Sequence, residues 1–86
     1  MKIVLKPALF TRLTSVYVIN NEDNFIAKNF AIAMEELPVR IPELCREYQV
    51  DKITIAGSKM FNKKIGQMIQ SNAISQYDLK IEIEYA

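Results

Sequence analysis

Hydrophobic and polar positions recur with two different periods along this chain, and the changes of period mark its elements. Near one end Leu79, Ile81, Ile83 and Tyr85 alternate with Lys80, Glu82 and Glu84. A period of two predicts a strand with one solvated face, near the edge of a sheet. Further back, Phe61, Ile65, Met68 and Ile69 share one face of a helix, with Lys59, Lys63, Lys64 and Gln67 elsewhere on the wheel. Ahead of that helix, Ile53-Thr54-Ile55-Ala56 reads as a strand packed on both faces and central to the sheet. Gly57 is free to take positive φ at the exit from the sheet, and Ser58 is a good N-cap. Gly66 lowers helix propensity by roughly 1 kcal/mol relative to Ala, and marks a close packing contact. The stretch 50–71 is therefore a strand, a sharp turn and a helix, around which the other elements are arranged.

The leading half predicts three more strands. Met1–Leu5 is the first, ended by Lys6-Pro7. Residues 7–13, PALFTRL, read as a loop with three large apolar residues, Leu9, Phe10 and Leu13. Thr14–Asn20 is a second strand, apolar on both faces through Val16-Tyr17-Val18-Ile19. The cluster Asn20-Asn21-Glu22-Asp23-Asn24 is a turn, since Asn and Asp tolerate left-handed backbone and bond to their own main chain. Phe25–Ile32 then reads as a strand forming a hairpin across that turn. A helix over Phe25–Leu37 is the alternative, because Ile26, Phe30, Ala33, Met34 and Leu37 also keep helical spacing. A helix follows, ending at Tyr48 with Leu37, Ile41, Leu44, Cys45 and Tyr48 on one face. Pro42 lacks an N–H, so the regular part is expected to begin at Arg40–Pro42, after an irregular lead-in over Glu35–Val39.

The expected fold is a single α/β (α+β) domain over residues 1–86, with a mixed sheet of about five strands and two helices. Its order is β-β-β-α-β-α-β, or β-β-α-α-β-α-β if Phe25–Leu37 is helical. Three leading strands followed by two crossover units resemble the ribonuclease H-like fold of many nucleases, resolvases and actin-type ATPases. Nearly the whole chain takes part in that resemblance, as topology alone. The small size and the turn Ile53-Thr54-Ile55-Ala56-Gly57-Ser58-Lys59 also look like the small proteins of unassigned role common in bacteriophages and mobile elements.

A nuclease of that fold holds two divalent metals with clustered carboxylates, one from the first strand and one at the end of the strand after the first helix. Here the first strand is Lys2-Ile3-Val4-Leu5-Lys6, without an acid, and the later strand ends in Ala56-Gly57-Ser58. Asp51 is at its opposite end, and Glu22 and Asp23 lack an obvious third ligand. The resemblance therefore implies the fold without the nuclease. Histidine is absent, which removes Ser-His-Asp and Cys-His catalysis and most zinc sites. The single cysteine, Cys45, lies on an apolar helical face and reads as core. No enzyme, cofactor or metal is expected. One cysteine forms no internal disulfide, no apolar run approaches the roughly 18–20 residues that span a bilayer, and Lys6-Pro7 interrupts any signal-peptide core. Cytoplasmic residence and no membrane association are the expectation.

The net charge of +1 conceals segments of opposite sign. Residues 1–19 carry +3, 20–51 carry −4, 52–72 carry +4 and 73–86 carry −2. Faces of opposite sign suit self-association as well as an anionic partner. Two readings follow. In the first, the chain is a non-catalytic protein-interaction module, self-associating and of phage type, acting on a host protein. Its contacts are Leu9, Phe10 and Leu13 with the last strand's outward residues, Lys80, Glu82 and Glu84. In the second, Ser58, Lys59, Lys63 and Lys64 at the helix start bind a phosphate or a nucleic-acid backbone. One glycine does not make a phosphate-binding loop, and three lysines offer no sequence readout. A protein partner, above all a second copy of the chain, therefore ranks ahead of nucleic acid.

Overall fold

The computed structural model of the chain describes residues 1–8, 12–69 and 81–86. Among the described residues, five strands and two helices follow the expected order: β1 (Lys2–Pro7), β2 (Leu13–Ile19), β3 (Ile26–Ala33), α1 (Leu37–Glu47), β4 (Lys52–Ile55), α2 (Lys59–Met68) and β5 (Glu82–Tyr85). A 3-10 turn, Met34–Glu36, joins β3 to α1. The strands form one sheet in the order β3-β2-β1-β4-β5. The first three make an antiparallel meander, while β4 and β5 add in parallel to β1. The fold is thus mixed α/β, and the helical alternative for Phe25–Leu37 is replaced by β3. Tertiary pairing decides this ambiguous segment: Phe30, Ile32 and Lys28 align with Val16, Thr14 and Val18 of β2.

Both helix-bearing connections run toward the same edge of the sheet. From β3 the chain passes over β2 and β1 to β4, and from β4 it passes to the neighbouring β5. Crossovers between parallel strands are almost always right-handed, so two that progress in one direction lay their helices on one face. The core lies under that face. Ile3, Leu5, Val16, Val18, Ile32, Ile53 and Ile55 of the sheet meet Leu37, Ile41, Leu44, Cys45, Ile65 and Ile69 of the helical segments. The register confirms a single layer, since Ile3 stands between Val18 and Ile53, and Leu5 between Val16 and Ile55.

Four local expectations change in the structure. β1, not β4, is the central strand, and β4 packs helices on one face only: Ile53 and Ile55 are buried, whereas Lys52 and Thr54 are half-buried on the other side. β1 continues through Pro7, because β4 ends opposite Leu5 and leaves no strand there to need the missing N–H. α1 begins at Leu37, with Pro38 in its first turn, where a fixed φ near −65° suits the helix and an N–H is dispensable. Pro42 lies inside the helix and buries its ring in the core. Gly57 does not use positive φ. It is small for another reason: a Cβ there would stand 2.4 Å from Phe61 Cδ1 and 3.1 Å from Pro7 Cδ.

Turn chemistry holds the ends. The Asn20 side chain accepts from the Glu22 N–H (2.9 Å), that of Asp23 accepts from the Phe25 N–H (3.0 Å), and Asn24 takes φ 58°. Ser58 caps α2 by accepting from the Phe61 N–H at 3.2 Å. α1 ends in paired bonds, Val50 N–H to the Cys45 carbonyl (2.9 Å) and Gln49 N–H to that of Arg46 (3.4 Å), with Gln49 at φ 52°. That is a Schellman closure with a side chain in the left-handed position glycine usually holds. Gly66 packs against β5 as expected, for an added Cβ would come within 2.2 Å of the Tyr85 hydroxyl.

Three substitutions test these contacts. Gln49→Gly relieves the left-handed strain and raises stability by about 1 kcal/mol in urea titration. Gly57→Ala forces half-buried Phe61 to move inside packed surroundings and lowers stability by about 1–3 kcal/mol. Gly66→Ala stays within about 1 kcal/mol of the parent, because half-exposed Tyr85 can swing outward and the helix gains propensity.

Candidate functional site

With the helices gathered on one side, the opposite face of the sheet carries no helix among the described residues. Its side chains follow from the register. Leu13, Ser15, Tyr17 and Ile19 of β2 stand beside Ala33, Ala31, Asn29 and Ile26 of β3, and Tyr17 and Ile19 face Val4 and Lys2 of β1. Across β4 and β5 the same face shows Lys52, Thr54, Glu82 and Glu84. The face is divided chemically. Its β3–β2–β1 half is mainly apolar around Val4, Tyr17, Ile19 and Ile26, with Lys2, Lys6, Ser15 and Asn29 among them, and its β4–β5 half carries Lys52, Glu82 and Glu84.

The apolar half is relieved by two shallow hollows that share Tyr17. One, of about 340 Å³, is lined by Val4, Lys6, Tyr17, Ile19 and Ile26. The other, of about 250 Å³, is lined by Ser15, Tyr17, Asn29, Phe30 and Ala31. Next to the first, Phe25 and Ile26 leave 73% and 56% of their surface in solvent. β3 runs along the rim with most of its residues exposed despite an apolar sequence, IAKNFAIA. Large exposed apolar residues that are contiguous, rather than scattered, mark contact surfaces.

Among the described residues, the charged half holds one ion pair. Lys52 Nζ bonds Glu84 from the adjacent strand. The hydrogen bond with Glu84, and then its negative charge, hold the Lys52 ammonium above its ordinary range, and the same bond holds the Glu84 carboxyl below its own. The pair therefore contributes at neutral pH. Its contribution goes as pH falls through the lowered Glu84 value, or rises through the raised Lys52 value. Both groups are solvated, so the pair sets which side chains meet more than it stabilises the fold.

Of the residues singled out from the sequence, Leu13 lies on the bare face at the start of β2, and Glu82 and Glu84 lie on the same face in β5. They are not brought together: β1 and β4 intervene, a separation of about 14 Å at ordinary strand spacing. Leu9, Phe10 and Lys80 lie outside the described residues. Tyr17, Ile19 and Ile26 form a patch that the sequence reading did not select. Their signal was the alternation of Val16 and Val18 with Tyr17 and Ile19, which reads as burial on both faces when the sheet's coverage is unknown.

The lysine-bearing helix start offers a second surface. Lys59, Asn62, Lys63 and Gln67 line an open hollow of about 400 Å³ together with Tyr85. Lys64 does not join them, being one residue, or about 100°, further round the helix. Part of the hydrogen-bonding capacity there is already committed. The Ser58 hydroxyl accepts from the Phe61 N–H, and the Asn62 side-chain oxygen accepts from the Gly57 N–H at 2.9 Å. Among the described residues, no group of three or more Asp, Glu, His or Cys side chains is placed to hold a metal ion. No helix among them is long and apolar enough to cross a membrane.

Comparison with protein-family models and with curated proteins finds no match for the chain.

Cys45 belongs to the core, only 3% exposed, and burial pushes its thiol pKa up to about 12. Alkylation at pH 8 is expected to be at least about 100-fold slower than for a free thiol and to become fast in denaturant, as mass spectrometry of quenched samples would record.

Proposed function

We propose that the protein is a non-catalytic protein-interaction module that self-associates, built on a ribonuclease H-like arrangement of strands and helices. The observation that carries this reading is the apolar half of the bare sheet face, Val4, Tyr17, Ile19 and Ile26, bordered by exposed Phe25. Water in contact with such a surface favours its removal into an interface, at about 25 cal/mol for each Å² of apolar area covered. The division of the face supports it further. An apolar half gives affinity, while fixed charges on the other half limit how a partner can lie. A first strand without an acid and a chain without histidine favour binding over catalysis. A phage-type module acting on a host protein in the cytoplasm would use the same surface.

The lysine-bearing hollow supports the competing reading, an anion or nucleic-acid site at Ser58, Lys59 and Lys63. The two diverge in solution. Light scattering after size exclusion, from about 5 to 500 µM protein, should give a species heavier than the monomer with a protein-like 260/280 nm ratio. That species should survive 1 M salt and the triple variant Lys59→Glu/Lys63→Glu/Lys64→Glu. A monomer at every concentration sinks the self-association reading. Co-purifying nucleic acid that salt strips away, and that the triple variant loses, would move the function to α2.

A further inference from the structure

The two ends of the sheet are unlike. β5 is four residues long and carries Glu82 and Glu84. β3 is eight residues long, has Lys28 as its one charged residue and contains no proline. Edge strands normally avoid unwanted pairing by being short, charged, or broken by proline or a bulge. β3 does so only at its beginning, where the pairing with β2 shifts register between Val18 and Ile19.

The hydrogen-bond phase of β3 can be read from the structure. The Met34 N–H donates to the Arg12 carbonyl (3.0 Å), continuing the register in which Ala33 faces Leu13 and Ile32 faces Thr14. Antiparallel residues exchange bonds in alternate pairs. Ile32, Phe30 and Lys28 therefore turn their main-chain groups toward β2, and Asn29, Ala31 and Ala33 turn theirs toward the open side. Asn29 and Ala31, with the N–H of Ala33, present a regular ladder beside small or short side chains, while the Ala33 carbonyl caps the 3-10 turn.

We infer that β3 pairs antiparallel with β3 of a second copy, about a two-fold axis through Ala31, joining the two sheets into one of ten strands. This rests on the self-association reading and puts the contact at the sheet edge, so the apolar face is extended by the second copy rather than covered by it. The register follows from the phase. Centring on Ala31 sets Ala31 against Ala31 and Asn29 against Ala33; because the Ala33 carbonyl caps the 3-10 turn, four bonds form, donated by the Ala31 and Ala33 N–H groups of each copy. Centring on Phe30 leaves Ala33 facing the bulged start of the other strand. The side chains agree with the first choice. Small Ala31 meets itself at the axis, half-buried Phe30 lies beside Ile32 of the other copy, and the two Lys28 residues stand about 20 Å apart. A second copy is the fitting occupant because an antiparallel edge is its own complement under a two-fold rotation. The axis is normal to the sheet, so both bare faces lie on the same side and their apolar halves become one continuous floor.

Ala31→Pro tests this with little effect on the fold, since it removes an N–H that points away from β2, a position where edge strands accept proline. By sedimentation equilibrium it should raise the dimer dissociation constant at least about tenfold, with the circular dichroism spectrum unchanged and Tm close to the parent at concentrations where both are monomeric. Ala31→Cys should oxidise to a covalent dimer under mild diamide, whereas Glu84→Cys on the opposite edge should not. If the parent dimerises and Ala31→Pro dimerises equally well while Tyr17→Asp does not, the copies meet face to face. Edge pairing is then overturned and self-association stands. A parent that is monomeric throughout overturns both.

Discussion

The handedness of the crossover between parallel strands governs this molecule. β3, β4 and β5 run parallel to β1, and the chain reaches β4 and then β5 by moving twice toward the same edge. Had the second connection turned back across the sheet, one helix would have covered each face. Because both move the same way, right-handed connection sets both helices on one face, and the described apolar core forms there. The bare face, the exposed rim along β3 and the charged rim at β5 are consequences of that one topological fact.

A one-sided sheet in a small domain leaves little spare stability. The described core holds residues such as Ile3, Leu5, Val16, Val18, Ile53 and Ile55 in a single layer under the helices. Each buried aliphatic side chain contributes about 1.5–3 kcal/mol against a total margin of about 5–15 kcal/mol. Covering the apolar half of the other face would add to that margin, so assembly and stability are coupled here. Phe61 of α2 closes over Gly57 and Tyr85 of β5 lies over Gly66, so α2 is seated beside the end of β4 and β5. These contacts tie the far edge of the sheet to the helix and leave β3, which lies at the other edge, as the side open to a partner.

Function in this reading follows from what remains unsatisfied after folding. β3 has outward main-chain groups and Phe25 and Ile26 have exposed apolar surface, whereas Lys52 and Glu84 have each other. Cys45 is buried, with its thiol held protonated, and serves packing. The lysines at the start of α2 are exposed beside a hollow whose capping groups are already in use.

The order of elements was legible in the sequence, since it depends on local periodicity, turn residues and caps. The two-residue alternation around Ile81, Ile83 and Tyr85, the helical spacing of Phe61, Ile65 and Ile69, the Asn/Asp turn and the Ser58 cap all express interactions within about one turn or one hairpin. β3 was legible less clearly, because Ile26, Phe30 and Ala33 satisfy both periods until β2 supplies a partner. The bare face was not legible at all. An apolar residue such as Tyr17 or Ile19 has the same pattern whether a helix covers it or not, and coverage depends on the direction of crossovers many residues away. The free edge of β3 and the fact that Leu13 lies far from Glu82 and Glu84 are likewise properties of strand order. Strand order arises from long-range pairing, which only the tertiary structure decides.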